Sequence, residues 1–137
     1  MEAVWQSILT GVPVLILHLV VAIAMLVIGA IVYMWMTPYE DLKLVRSGNA
    51  AAGIAMGGAL VGLGVPLASA VAASVNVYDI LMWGVVTLVV QILVFKVVDL
   101  ILKGLPKRIE DGEIGAACML TGTKWAGAAI TAAAVSG

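Results

Sequence analysis

The chain has 137 residues, of which 64% are hydrophobic and 11% are charged, and its formal net charge at pH 7 is −1. Soluble globular domains are about 45–50% apolar and about 25% charged, so this composition excludes an ordinary soluble domain. The length predicts a single domain over residues 1–137, and the near-neutral charge leads us to expect no nucleic-acid partner.

Four apolar segments follow one another along the chain, at residues of about 13–36, 49–74, 79–103 and 113–136. Each is long enough to cross the ~30 Å hydrocarbon core of a bilayer. The first has no basic residues before it and is longer than the core of a signal peptide, so we expect it to be a membrane span. The sequence therefore predicts an all-α, integral membrane four-helix bundle in contact with the lipid bilayer.

The chain also contains two similar halves. The run SGNAAAGIAMGG at 47–58 has a counterpart in DGEIGAACMLTG at 111–122, and each run follows a long aliphatic segment and a charged stretch. Two spans return the chain to its starting side, so the halves must lie parallel, related by a pseudo-two-fold axis along the membrane normal. We predict two two-helix repeats, 1–75 and 76–137.

Basic residues indicate the orientation. Lys43 and Arg46 lie in the loop between the first two spans, and Lys107 and Arg108 lie in the loop between the last two. The positive-inside rule therefore predicts that both loops are cytoplasmic and that both termini face outward. The loops carry charges of both signs, which fits a solvated connector or, as the alternative, a surface that docks a cytoplasmic protein.

The fourth segment carries an unusual stripe of small and polar residues. Spacings of three and four place them on one helical face, which should meet protein or water rather than lipid. Lys124 lies about 16 Å from the helix start, near the bilayer midplane. A charge there costs at least ~2.5–3.5 kcal/mol, so it needs a partner, a water-filled cavity or loss of its proton. The residues of the stripe are Glu113, Ala117, Thr121, Lys124, Ala128 and Thr131.

The third segment supplies candidate partners for Lys124. Gln91 should lie at the depth of Lys124 and Asp99 one to two turns nearer the cytoplasm, at 1.5 Å per residue. We expect Lys124 to face the protein interior or an oligomer axis, within reach of Gln91, Asp99 or water. An Asp99–Lys124 pair is the preferred expectation, because a ring of axial lysines would repel itself; such a ring would favour anions. The predicted intramembrane polar site is Lys124, Gln91, Asp99, Thr121 and Glu113.

Glycines dominate the second segment. Gly53 and Gly57 form one small-xxx-small pair, and Gly58 and Gly62 form another. Such pairs let helix backbones approach closely in a membrane, either within one protomer or between subunits. We expect a homo-oligomer, a dimer or small ring, that is weakened by bulky residues at Gly57 or Gly58.

The runs 39–70 and 79–95, together with the glycine-alanine repeat from Glu113 onward, resemble the YjfL-like bacterial inner-membrane family (UPF0719, domain of unknown function 350). The resemblance implies a duplicated four-span protein of the bacterial inner membrane and supplies no catalytic residues. The chain departs from the family pattern at Glu113, which stands where the first repeat has Asn49, and at Lys124, where a small residue is typical.

The sequence contains no CxxC, HExxH, P-loop or nucleophile-elbow motif. We therefore expect no enzyme activity, catalytic residue, cofactor or metal site. The polar stripe favours an oligomeric element of ion or small-solute passage. The alternative is a membrane scaffold or anchor that recruits a cytoplasmic partner through the two charged loops.

Overall fold

The computed structural model describes residues 1–74 and 76–137, and these residues form an all-α structure, which confirms the all-α part of the predicted fold class. Val75, the predicted end of the first repeat, lies outside the described residues. The helices are α1 (Glu2–Met36), α2 (Asp41–Arg46), α3 (Ala50–Ala73), α4 (Val77–Leu102), α5 (Leu105–Glu110) and α6 (Ile114–Ser136).

Within the described residues, the helices α1, α3 and α4 are long and apolar enough to cross a membrane. The 23-residue α6 is long enough but less apolar, because it contains Lys124 and three threonines. Helix α1 begins at Glu2 rather than near residue 13, with Pro13 inside it. A proline lacks only its own N–H donor, and the apolar residues before Pro13 continue the helix.

Helix α3 packs against α1, α4 and α6. Helices α3 and α6 are parallel, because Asn49 contacts the end of α5 just before α6 begins, and Gly58 meets Thr121 further along both helices. The Thr121 hydroxyl donates to the Ile54 carbonyl at 3.0 Å. Small residues permit this close approach of the two backbones.

Each charged loop folds into a short helix of six residues, α2 in the first half and α5 in the second. The mixed charges predict solvated connectors, but Asp41, Leu105 and Ile109 are buried. Gly48 and Gly112 follow these helices with φ of 87° and 81°, a conformation that glycine adopts without strain. Both halves thus share the order long helix, short helix, long helix.

Asn49 links the two halves at the loop end of the molecule. Its Oδ1 caps α3 by accepting from the Ala52 N–H at 3.0 Å, and its Nδ2 donates to the carbonyls of Ile109 and Glu110 at 3.1 and 3.0 Å. The polar side chain therefore caps the start of α3 and binds the end of α5.

Replacing Asn49 with alanine should lower the free energy of unfolding by about 1–2 kcal/mol, because it removes a cap and two hydrogen bonds. Thermal unfolding in detergent, followed by circular dichroism, measures the change. The matched control is Asn76→Ala, which removes the cap that Asn76 provides for α4 through Asp79 N–H. Equal losses in the two variants would contradict the role of Asn49 as a link between the halves.

Candidate functional site: a buried polar chain around Lys124

Lys124 is fully buried, at 0% exposure, between α6, α1 and α4. Its Nζ donates to the Tyr33 hydroxyl and lies 3.7 Å from the centroid of the Tyr33 ring and 5.8 Å from that of Phe95. The two rings meet edge to face at 82°. Aromatic faces attract cations, so the site offsets part of the penalty of burying an ammonium.

A polar pair lies just beyond Tyr33, at the loop end of α1. Thr37 lies one turn after Tyr33, and its Oγ1 donates to Oδ2 of Asp41 at 2.6 Å. A cavity of about 10 Å³ lies against both Tyr33 and Thr37. That volume is close to the minimum for one water molecule, so it admits a water but neither a hydrated ion nor a solute.

Asp41 lies at the boundary between the buried chain and the open loop surface. Its side chain is 3% exposed, and its Oδ1 and the Tyr39 hydroxyl have no hydrogen-bond partner among the described residues. Both residues line an open cavity of about 680 Å³. Burial raises the pKa of the Asp41 carboxyl, while the Thr37 hydrogen bond and the Lys124 charge oppose the rise. Burial likewise raises the pKa of the Tyr39 hydroxyl.

Buried polar side chains continue from Lys124 toward the other end of the helices. Gln91 is fully buried, and its Nε2 donates to the Lys124 carbonyl at 3.3 Å. Thr87 lies one turn beyond Gln91, and Thr131 lies further along α6; both are buried. At 1.5 Å per residue, Lys124 and Gln91 lie ~15–16 Å from the loop end, Thr87 ~22 Å and Thr131 ~26 Å.

The structure places Gln91 beside Lys124 but keeps Asp99 away from it. Asp99 Oδ1 accepts from the Leu105 N–H at 3.0 Å, because the chain turns sharply at Gly104 and brings the start of α5 over the end of α4. The expected Asp99–Lys124 pair is therefore wrong. Lysine side chains on a helix lean toward its N-terminus, and here that direction leads to Tyr33 on α1.

Glu113 and Thr121, the other predicted site residues, have separate contacts. Glu113 is exposed and pairs with Arg108, whose guanidinium holds the pKa of the Glu113 carboxyl below its usual value. Thr121 is half-buried and bonds to α3. Ala117, Ala128 and Thr131 are buried, so most of the stripe faces the interior of the same chain.

The two predicted glycine pairs have different surroundings in the structure. A Cβ atom at Gly58 would lie 2.5 Å from Oγ1 of Thr121, and one at Gly62 would lie 2.5 Å from Oε1 of Gln91. These two glycines therefore pack within the chain, which is the first of the two arrangements predicted for the glycine pairs. A Cβ at Gly53 or Gly57 would meet nothing within 4 Å.

Tyr33, Thr37 and Asp41 lie outside the predicted site. The position of Tyr33 at the end of the first span predicts a place at the membrane interface, and the mixed charges of the following loop predict a solvated Asp41. A signal was present, because the three residues recur at intervals of four, as residues on one helical face do. The pattern runs past Met36, where the aliphatic segment stops, and so hydrophobicity alone does not reveal it.

A family model described as Domain of Unknown Function (DUF350) matches residues 7–135. The chain is 32% identical over 116 residues to the UPF0719 inner membrane protein YjfL of Escherichia coli (strain K12), which covers 85% of this chain and 88% of the relative. The same protein of Escherichia coli O157:H7 matches with the same figures. No solved structure matches. The family match and the identity over most of both chains confirm the resemblance, and the chain belongs to the DUF350 family.

Proposed function

We propose that this chain is a bacterial inner-membrane protein that lets protons cross the membrane along the buried polar chain of each copy. The observation that carries the proposal is the contact of the fully buried Lys124 ammonium with the Tyr33 hydroxyl. Ionisable groups inside a membrane are rare and mark ion pathways and proton relays. The cavity beside Tyr33 has room for about one water, which favours protons over solutes.

The residues suit a relay in which protons are exchanged and none are consumed. A proton binds Asp41 from the water-accessible loop cavity, and the Thr37 hydroxyl, a water and the Tyr33 hydroxyl each accept one proton and release another. Lys124 first releases a proton toward the far end of the helices and becomes a neutral amine, and its Nζ then accepts the next proton from the Tyr33 hydroxyl. Gln91, Thr87 and Thr131 line the remaining distance with polar atoms. A raised carboxyl pKa suits Asp41 for this exchange, because the group binds protons at a higher pH than an ordinary aspartate.

The proposal includes the arrangement of the chain in the membrane. Helix α6 crosses the bilayer as a fourth span beside α3, the halves 1–75 and 76–137 are parallel repeats, and the protein forms a homo-oligomer. The matched backbone at Gly48 and Gly112 supports the repeat. The proposed activity needs no catalytic residue, cofactor or metal.

Both termini should face outward and both short helices should face the cytoplasm, because Lys43, Arg46, Lys107 and Arg108 lie at one end of the molecule. In a Cys118→Ala background, an impermeant maleimide added to intact cells should label Ser136→Cys. It should label Ser47→Cys only after the membrane is opened. The reverse labelling pattern would contradict this orientation.

Proteoliposomes that contain a pH-sensitive dye test the activity. A membrane potential set by a potassium gradient and valinomycin should drive protons inward faster than in protein-free liposomes. A rate equal to that of protein-free liposomes would overturn proton passage and favour the alternative of a scaffold that binds a cytoplasmic partner.

A further inference from the structure

Within one chain, α3 and α6 pack through faces that are not equivalent in the sequence repeat. The Gly58 face of α3 packs on the Thr121 face of α6. Gly58 lies nine residues after the Asn49 cap, and Thr121 lies eight residues after the Glu113 cap, so the two residues are at nearly the same depth.

The sequence repeat relates α3 to α6, so each residue at the contact on one helix has a counterpart on the other helix. The counterparts of Gly58 and Thr121 are exposed. Position 47 corresponds to 111, so Gly58 corresponds to Gly122 on α6, and Thr121 corresponds to Gly57 on α3. Gly57 and Gly122 are exposed, and a Cβ at either would meet nothing within 4 Å. Each copy therefore exposes one face on α3 and one face on α6 that correspond to the two faces of its own α3–α6 contact. The exposed residues around Gly122 include Gly115, Met119 and Ala126, the counterparts of the buried Ala51, Ala55 and Gly62.

The helices that pack over the α3–α6 contact are related by the same sequence repeat. Helix α4 packs against both α3 and α6, and its counterpart α1 packs against α3 of its own chain. Four residues separate α1 from α2 and two separate α4 from α5, so, counted from the helix ends, the buried polar residues Gln91 and Thr87 correspond to Met25 and Val21 on α1, which are apolar and half-buried. Lys124 corresponds to Leu60, which is 39% exposed. A second contact built from these counterparts would be apolar throughout.

We propose that copies of this chain assemble head to tail around an axis along the membrane normal, with the Gly122 face of α6 packed on the Gly57 face of the next copy's α3. This inference rests on the repeat and the oligomer of the proposed function and names the interface. A second copy of the chain packs on each exposed face, because the chain itself carries the complementary face at the same depth in the membrane. A heterologous contact of this kind closes into a ring when its rotation allows. The polar chain then lies within each copy, away from the subunit contacts.

Disulfide cross-linking in native membranes tests the interface in a Cys118→Ala background, since Cys118 is itself exposed on α6. The double variant Gly57→Cys/Gly122→Cys, treated with copper phenanthroline, should give a ladder of dimers, trimers and larger species on a non-reducing gel. Each single variant should remain monomeric on the same gel, because a heterologous contact does not bring identical residues together. Both positions have room for the new side chain, so the variants should fold.

Two results would overturn the proposal. Dimers from either single variant would indicate an isologous contact, and monomers only from the double variant would exclude contact between these faces. The cross-linking result is independent of proton flux. A ladder from a protein without flux would overturn the proposed activity alone, and flux without a ladder would overturn this interface alone.

Discussion

Replacing Lys124 with methionine should reduce proton flux into proteoliposomes about tenfold or more, since each ~1.4 kcal/mol added to a barrier lowers a rate tenfold. Methionine matches the length of the lysine stem but cannot carry a proton. The fold should survive, because exchanging a buried charge for an apolar group of similar shape is often neutral or stabilising. Dye-reported pH inside the vesicles, at equal protein content, measures the rate.

Two further variants are needed to interpret this result. Lys107→Met removes an exposed charge on α5 and should leave the flux unchanged. Tyr33→Phe keeps the ring beside Lys124 but removes the hydroxyl that Nζ contacts, so it should slow the flux while leaving Lys124 in place. Wild-type flux in Lys124→Met would show that protons do not pass through this residue.

Gly62→Leu should lower the free energy of unfolding by about 1–3 kcal/mol or more, because overfilling a packed interior forces side chains and backbone apart. Gly62 faces Gln91, whose Oε1 would lie 2.5 Å from an added Cβ. The larger side chain should also move Gln91 away from the Lys124 carbonyl, and so the variant should lose flux together with stability. The midpoint of thermal unfolding in detergent measures the change in stability.

Gly11→Leu is the matched control for this substitution. Gly11 lies in the exposed first half of α1, and an added Cβ meets nothing within 4 Å. Its unfolding midpoint should equal or exceed that of the wild type, since glycine is a poor helix former. Equal midpoints for Gly62→Leu and the wild type would contradict the close packing of α3 on α4.

The long helices could be predicted from the sequence because their apolar runs match the thickness of a bilayer. The family could be predicted because its repeated glycine-alanine runs are distinctive. The short helices α2 and α5 could not, because they depend on burial of Leu105 and Ile109 in a core that only the packed long helices create. The early start of α1 could not be predicted either, because a proline such as Pro13 is more typical of the start of a helix than of its interior.

For the site, burial of Lys124 could be predicted from its depth and its small neighbours, and Gln91 from its matching depth. The partner of the ammonium could not. Depth restricts candidates to a level in the membrane, but several helices pass through that level, and only their packing determines which one faces the lysine. Asp99 satisfied the electrostatic argument, yet its carboxylate caps α5, and Tyr33 on α1 occupies the position beside Nζ.

The most direct test of proton passage is the potential at which proton flux stops in proteoliposomes that hold a fixed pH difference. Potassium gradients of different size, with valinomycin, set the potential, and the dye reports when the internal pH no longer changes. Passage of protons alone predicts a null potential that moves by about 59 mV for each pH unit, the value for a single charge. A null potential that ignores the pH difference, or a flux no greater than in protein-free liposomes, would contradict the account.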